Sequence, residues 1–200
     1  MATLTKTIQA ELKAISAVAA GAIDKSSELA VATHLAALLF IDFAPDGTGT
    51  PTVGTKVLVQ ASEKVSGDDT WRDVDVRQTG AAAANSSAVD GTENAGATVI
   101  EESATTGIAV DEIVFFKNGT LGNSEWSRVW KVTTNTSFEL VDGLTNAQTG
   151  STWFSKCFQF VVPLDLTAIK RLRVVCLNNM GATNIAIHWR AAIITADSIG

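Results

Sequence analysis

The sequence predicts an all-β protein: a two-sheet antiparallel sandwich, jelly-roll-like or immunoglobulin-like, with an inserted β subregion and an N-terminal arm. Three observations carry this. Apolar and polar residues alternate with period two over Val57–Ser62 and again over Ile185–Ile193, the signature of half-buried strands. Gly, Asn and Pro clusters punctuate the chain at strand-length intervals. Of the 46% hydrophobic residues, 29 are Ala, so large apolar side chains are spread thinly, as a two-layer fold requires.

Ile8, Leu12, Ile15 and Val18 recur at helical spacing, and Gly21 sits where a helix would end, which offers a helix over residues 5–19. The Ala-rich alternation in Lys13–Ile23 serves equally as the first strand, and we favour a strand from about Ala14 behind an extended or partly helical arm, residues 1–13. Leu38–Phe43 is a dense apolar run of strand length, and Pro45 and Pro51 bracket the loop that separates it from the strand starting near Lys56. Residues Thr79–Thr98 hold Ala81–Ala84, no Lys or Arg, and no large apolar residue except Val89. Such a segment orders only against a neighbour.

From Val99 to about Ser155 strand-like sequence returns, with bulk from Trp126, Trp130, Phe138, Leu140 and Trp153. Residues 79–155 therefore read as a loop plus a small β insertion within one domain spanning 1–200. Ile113–Phe116, closed by Lys117, Asn118 and Gly119, carries the strongest hairpin signal. Leu172, Val174 and Cys176 share one face and Asn178, Asn179 and Gly181 supply a turn, so residues 170–195 read as a closing hairpin with Trp189 in the core.

Composition bounds the chemistry. Net charge is −6 with no block of like charges, which argues against nucleic acid as a partner. Leu29–Ala44 is interrupted by His34 and Asp42 and is shorter than the ~20 residues of a spanning helix, so no membrane partner is expected. The run Ala14–Ile23 after Lys6 and Lys13 is too rich in Ala for an export signal. Two Cys, Cys157 and Cys176, read as buried thiols that pair only if their strands are adjacent.

Candidate sites are weak. Asp90, Thr92, Asn94 and Glu101 fall at positions one, three, five and twelve of a calcium-loop template, but position six is Ala95 rather than Gly. Asp73 and Asp75 share a strand face as a carboxylate pair might, and His188 lies in a well-patterned strand without a nucleophile motif around it. Trp126, Trp130 and Trp153 are the candidate exposed aromatics for a sugar-binding surface. No catalytic, cofactor or metal site is assigned.

Two separated blocks carry a resemblance. Leu29–Phe43, the run Lys56–Lys64, Gly67–Asp69 and Trp71–Val74 form the first; Pro163–Leu166, Lys170–Val175, Asn178–Asn179 and Trp189–Ala191 form the second. Together they resemble small β-sandwich structural proteins of tailed bacteriophages. The resemblance implies a non-enzymatic virion protein made in the host cytoplasm. Capsid decoration or cementing is its first implication, and a neck, tail or baseplate position the alternative. Its partners would be the major capsid protein or neck and tail proteins, with copies of itself in a homo-oligomer.

Overall fold

The computed structural model describes residues 5–47, 49, 51, 53–67, 71–80, 84–102, 105–181 and 185–197. In chain order the strands are β1 (Lys6–Ile8), β2 (Lys13–Val18), β3 (Ile23–Lys25), β4 (Leu29–Ala30), β5 (His34–Gly47), β6 (Lys56–Ser62), β7 (Arg72–Gln78) and β8 (Ser86–Ala88). There follow β9 (Thr92–Glu93), β10 (Val99–Glu101), β11 (Ile113–Lys117), β12 (Glu125–Thr133), β13 (Ser137–Leu140) and β14 (Gln148–Thr149). The chain closes with β15 (Thr152–Asp165), β16 (Arg171–Leu177) and β17 (Ile185–Asp197). The protein is all-β: one 3₁₀ turn at Leu121–Asn123 is the sole helical element among the described residues.

Every ladder is antiparallel. The main sheet runs β1-β17-β5-β15-β11-β12-β13-β10, with β2 also on β17 and β8 also on β15. The second sheet runs β3-β16-β6-β7 with β4 on β16, and β9 and β14 make a small ribbon. Alternation decides which side chains meet between the sheets. Leu39, Ile41 and Phe43 of β5, Val162 and Leu164 of β15, and Ile187, Trp189 and Ile193 of β17 pack against Val57, Val59, Leu172, Val174 and Cys176 of the second sheet.

Trp189 is fully buried in that layer, and its Nε1 donates to Asp24 Oδ2 at 2.9 Å. Asp24 also accepts from Lys13 Nζ and from Ser16 Oγ. Burial works against its charge, but the hydrogen bonds from Lys13 and Trp189 and the lysine's own charge outweigh that and hold the carboxyl below its ordinary range.

The ambiguous N-terminal window is strand from Lys13, since a half-buried, Ala-rich segment gains more from the β17 ladder than from a weak helical stripe. The arm is extended as well. Lys6–Ile8 pairs with Ile194–Ala196, Leu12 is buried, and residues 1–4 lie outside the described set.

The expected closing hairpin is corrected. β16 and β17 lie in opposite sheets, β16 between β3 and β6 and β17 between β1 and β5. The connection crosses the core edge at Asn178, a fully buried residue whose Nδ2 donates to the carbonyls of Val18 and Ile185. Cys157 and Cys176 are accordingly free, one on each sheet.

β15 joins two regions. Its half Phe158–Asp165 pairs with β5, while Thr152–Cys157 pairs with β11 and β8. The turn between the halves is a bulge, where the register slips and Lys156 takes a left-handed φ of 61°. Beyond it, Ile100, Val114, Phe116, Val129, Phe138, Leu140 and Trp153 form a second core. Thr79 instead closes the β6–β7 end, exchanging hydrogen bonds with Thr55, while β8 pairs with β15 and Val89 is buried in the second core; the Ala81–Ala83 stretch lies outside the described residues. The expected β11–β12 hairpin forms, but its turn is longer than two residues and is organised by Asn118, whose Oδ1 accepts from the Thr120 amide.

Candidate functional site

The feature that stands apart is the outer face of the main sheet, the side of β5, β15 and β17 turned away from the sandwich core. Register places its side chains in rows across the strands. Lys6, Ala196, Ala36 and Asp165 form the first row, and Ile8, Ile194, Leu38 and Pro163 the second. Ala192, Phe40 and Val161 form the third, and Arg190, Asp42 and Gln159 the fourth. Ile8 is 81% exposed, Leu38 44% and Val161 53%. A hollow of about 450 Å³ lined by Leu35, Leu38, Pro163 and Ile194 opens in the first two rows.

Four strands at ~4.8 Å spacing and a six-residue rise from Ala36 to Asp42 make this an area of roughly 400 Å². Its two inner rows are apolar and its outer rows carry Lys6, Asp165, Arg190, Asp42 and Gln159, an apolar centre with a polar rim as at protein interfaces.

One end of the same face is already covered. Beyond the Arg190 row lie Ala44 and His188, and Phe115, Phe154 and Trp126 pack over them with Ile113 and Cys157. Leu121–Asn123 reaches across to β2. At the rim of this wall, Arg190 Nε donates to Asp42 Oδ2 at 2.6 Å and its guanidinium lies 5.3 Å from the Trp126 ring. The wall thus shelters half of an apolar face and leaves the other half in water.

His188 sits beneath the wall, 3% exposed, with its ring stacked on Phe115. Its Nδ1 lies 3.2 Å from Asp46 Oδ2 without the alignment of a hydrogen bond, and Asp46 holds Lys117 Nζ of the wall. Burial pushes the imidazole below its ordinary range; Asp46 pulls it up and Lys117 pushes it down. The arrangement is a junction between β17, β5 and β11.

The other candidates disperse. A bulge between β6 and β7 sets Asp73 opposite Gln60, which donates to it, and Asp75 opposite Val59, where Arg77 pairs with it. Of the calcium template, Asp90 donates its backbone N–H to Glu102 Oε1, and the Glu101 amide donates to Glu93 Oε1. Burial raises the Glu102 carboxyl above its ordinary range. Among the described residues no group of three or more His, Cys, Asp or Glu is placed to hold a metal ion.

The three tryptophans part company. Trp153 is 1% exposed in the second core, Trp126 lies between Phe115 and Arg190, and Trp130 alone stands out at 64%. Trp153 lacked a strand pattern that would mark it as inward, whereas Phe138 of β13 meets its ring edge-on inside the second core.

The exposed patch itself was missed at the level of single residues, although a signal exists. A strand that is apolar on both faces, as Leu38–Phe43 is, belongs where both faces are covered. The sandwich core covers Leu39, Ile41 and Phe43, whereas Leu38 stays exposed among the described residues.

No protein-family model matches the chain, and no curated protein matches it. Among solved structures it aligns with VP17, a capsid protein of bacteriophage P23-77, at 11% identity over 95% of this chain and 99% of that one, with a TM-score of 0.21. It aligns also with the VP16-VP17 complex, a complex of the two major capsid proteins of bacteriophage P23-77, at 10% identity over 97% and 99%, with a TM-score of 0.22. Scores of that size carry no argument about fold or function.

Proposed function

We propose that this chain is a structural protein of a bacteriophage virion, built on a jelly roll and acting through protein contacts on the open half of its main sheet. The strand order carries the reading. Restricted to the eight framework strands, the sheets run β2-β17-β5-β15 and β3-β16-β6-β7. In chain order the strands fall on the first sheet, the second, the first, twice on the second, then first, second and first. That is the order of an eight-stranded jelly roll, two Greek keys wound together, an architecture of capsid proteins, lectins and cupins.

Fold alone does not choose among those uses. The interior is filled by Phe43, Trp189, Leu39 and Leu172, which supports a working surface on the outside. The exposed Leu38 and its row, together with the resemblance of the block from Leu29–Phe43 and of Pro163–Leu166, Lys170–Val175, Asn178–Asn179 and Trp189–Ala191 to phage sandwiches, points to assembly. Residues 79–155 are then an elaboration between β7 and β15 that walls this surface. Within the virion we place the chain on the capsid as a decorating or cementing protein, with a neck, tail or baseplate position as the alternative.

The test is cryo-electron microscopy of particles carrying a labelled chain, with co-sedimentation of wild type and Leu38→Asp. Wild type is expected on the capsid, and Leu38→Asp, exposed and so harmless to the fold, is expected to fall off. Particles that never bind the wild type refute the reading. A glycan-binding module is the second reading, favoured only by exposed Trp130 on β12; glycan binding abolished by Trp130→Ala would select it.

A further inference from the structure

We propose that the occupant of the open face is a second copy of the same chain, related by a two-fold axis that lies in the plane of the sheet and runs across its strands. This rests on the reading of that face as a docking surface and adds the identity and orientation of what docks.

The wall sets the orientation. Phe115 and Trp126 stand over Ala44 and His188 at one end of the face, so two copies meeting with strands in the same sense bring both walls into one space. An axis across the strands sends each wall past the open end of the other copy, and the interface is isologous.

Charge supports the same orientation. Along the β17 edge, Lys6 at the open end has no ion pair among the described residues, and Glu11 near the walled end reaches only Arg190 Nη1, at 3.9 Å. The crossing axis sets Lys6 against the partner's Glu11, and does so twice. Along the β15 edge, Asp165 at the open end takes hydrogen bonds from Thr167 and has no cation among the described residues, while Gln159 lies at the walled end. The axis sets that carboxylate against the partner's Gln159, again twice. Between these edges Leu38 and Ile194 lie over Phe40 and Ala192, apolar on apolar.

About 400 Å² from each copy makes roughly 800 Å² in all, below the ~1,200–2,000 Å² of stable specific interfaces. The pair is therefore weak in solution and holds firmly where other lattice contacts raise its effective concentration.

The test is sedimentation velocity on the full chain from about 10 µM to about 1 mM, a range that brackets such an interface. The mass is expected to rise with concentration from 21.0 kDa towards twice that value. Lys6→Glu and Glu11→Lys, both exposed, should each weaken association by about tenfold, because each turns two attractive pairs into repulsive ones. The double exchange should restore it. A chain that stays monomeric throughout, or a double exchange that restores nothing, overturns the proposal. Particle binding separates the two readings. If wild type is monomeric but Leu38→Asp still loses its place on particles, another virion protein occupies the face and only the second copy is ruled out. If Leu38→Asp binds particles normally, the face itself is no docking surface.

Discussion

Trp189 offers the sharpest test of the core. The side chain is fully buried between the sheets, and Nε1 donates to Asp24, a carboxylate already held by Lys13 and Ser16. Trp189→Ala removes the ring from a core layer whose members, its register partner Phe43 among them, belong to long ladders and collapse only partly. Cavity and lost burial cost about 3–5 kcal/mol. Trp189→Phe keeps most of the volume and deletes the N–H. Hydrogen bonds to charged groups are worth about 1.5–3 kcal/mol, and because Asp24 keeps two other donors and partial solvent access a loss at or just below that range, about 1–1.5 kcal/mol, is expected. For a chain of this length about 1 kcal/mol shifts Tm by ~2–4 °C, so Ala should lower it by roughly 6–20 °C and Phe by roughly 2–6 °C.

The pair also makes a pH prediction. The Asp24 carboxyl is depressed in the folded state, so its contribution is full above the ordinary value of 3.8 and is lost as pH falls through the lower folded value. Urea melts at neutral pH and near pH 3 should therefore show a smaller gap between wild type and Trp189→Phe in acid. An Ala variant that melts within about 2 °C of wild type would refute the inward assignment of β17.

Three further outcomes follow from the same geometry. His188 is depressed in the folded state by burial, so its contribution is full above the ordinary 6.5 and is lost as pH falls from there through the folded value; His188→Gln should flatten the loss of Tm between pH 7.5 and 5 relative to wild type. Gly54→Ala should destabilise by about 1–3 kcal/mol in urea melts, because a Cβ there runs into the Thr79 carbonyl oxygen, where Thr79 N–H donates to Thr55 and closes the end of the β6–β7 ladder. Neither thiol should react with a disulfide reagent until the chain unfolds, since burial raises Cys157 well above its ordinary value and Cys176 to about 12; fast labelling of either in the native protein would contradict the two cores.

How far the sequence reaches is seen in particular residues. Alternation in Ile185–Ile193 assigned Trp189 to the core correctly, because a period of two is a property of the backbone itself and needs no partner. The same pattern in β16 named its inward residues, Leu172, Val174 and Cys176, yet misled on pairing. Two strands with inward faces and a connection holding Asn178, Asn179 and Gly181 satisfy a hairpin and a sheet crossing equally well. Asn178 decides for the crossing only once Val18, 160 positions away, presents its carbonyl.

The open face marks the same divide. By itself the sequence determined strand class, the inward side of β16 and β17 and the apolar excess of Leu38–Phe43, all consequences of local geometry and composition. Only the tertiary structure decided that the strands interleave as β2-β17-β5-β15 over β3-β16-β6-β7, and that the β15 bulge swings Phe115 and Trp126 over His188 while Leu38 stays bare. Long-range pairing is a competition among all strands for the same ladder edges, and no window of sequence contains both sides of that competition.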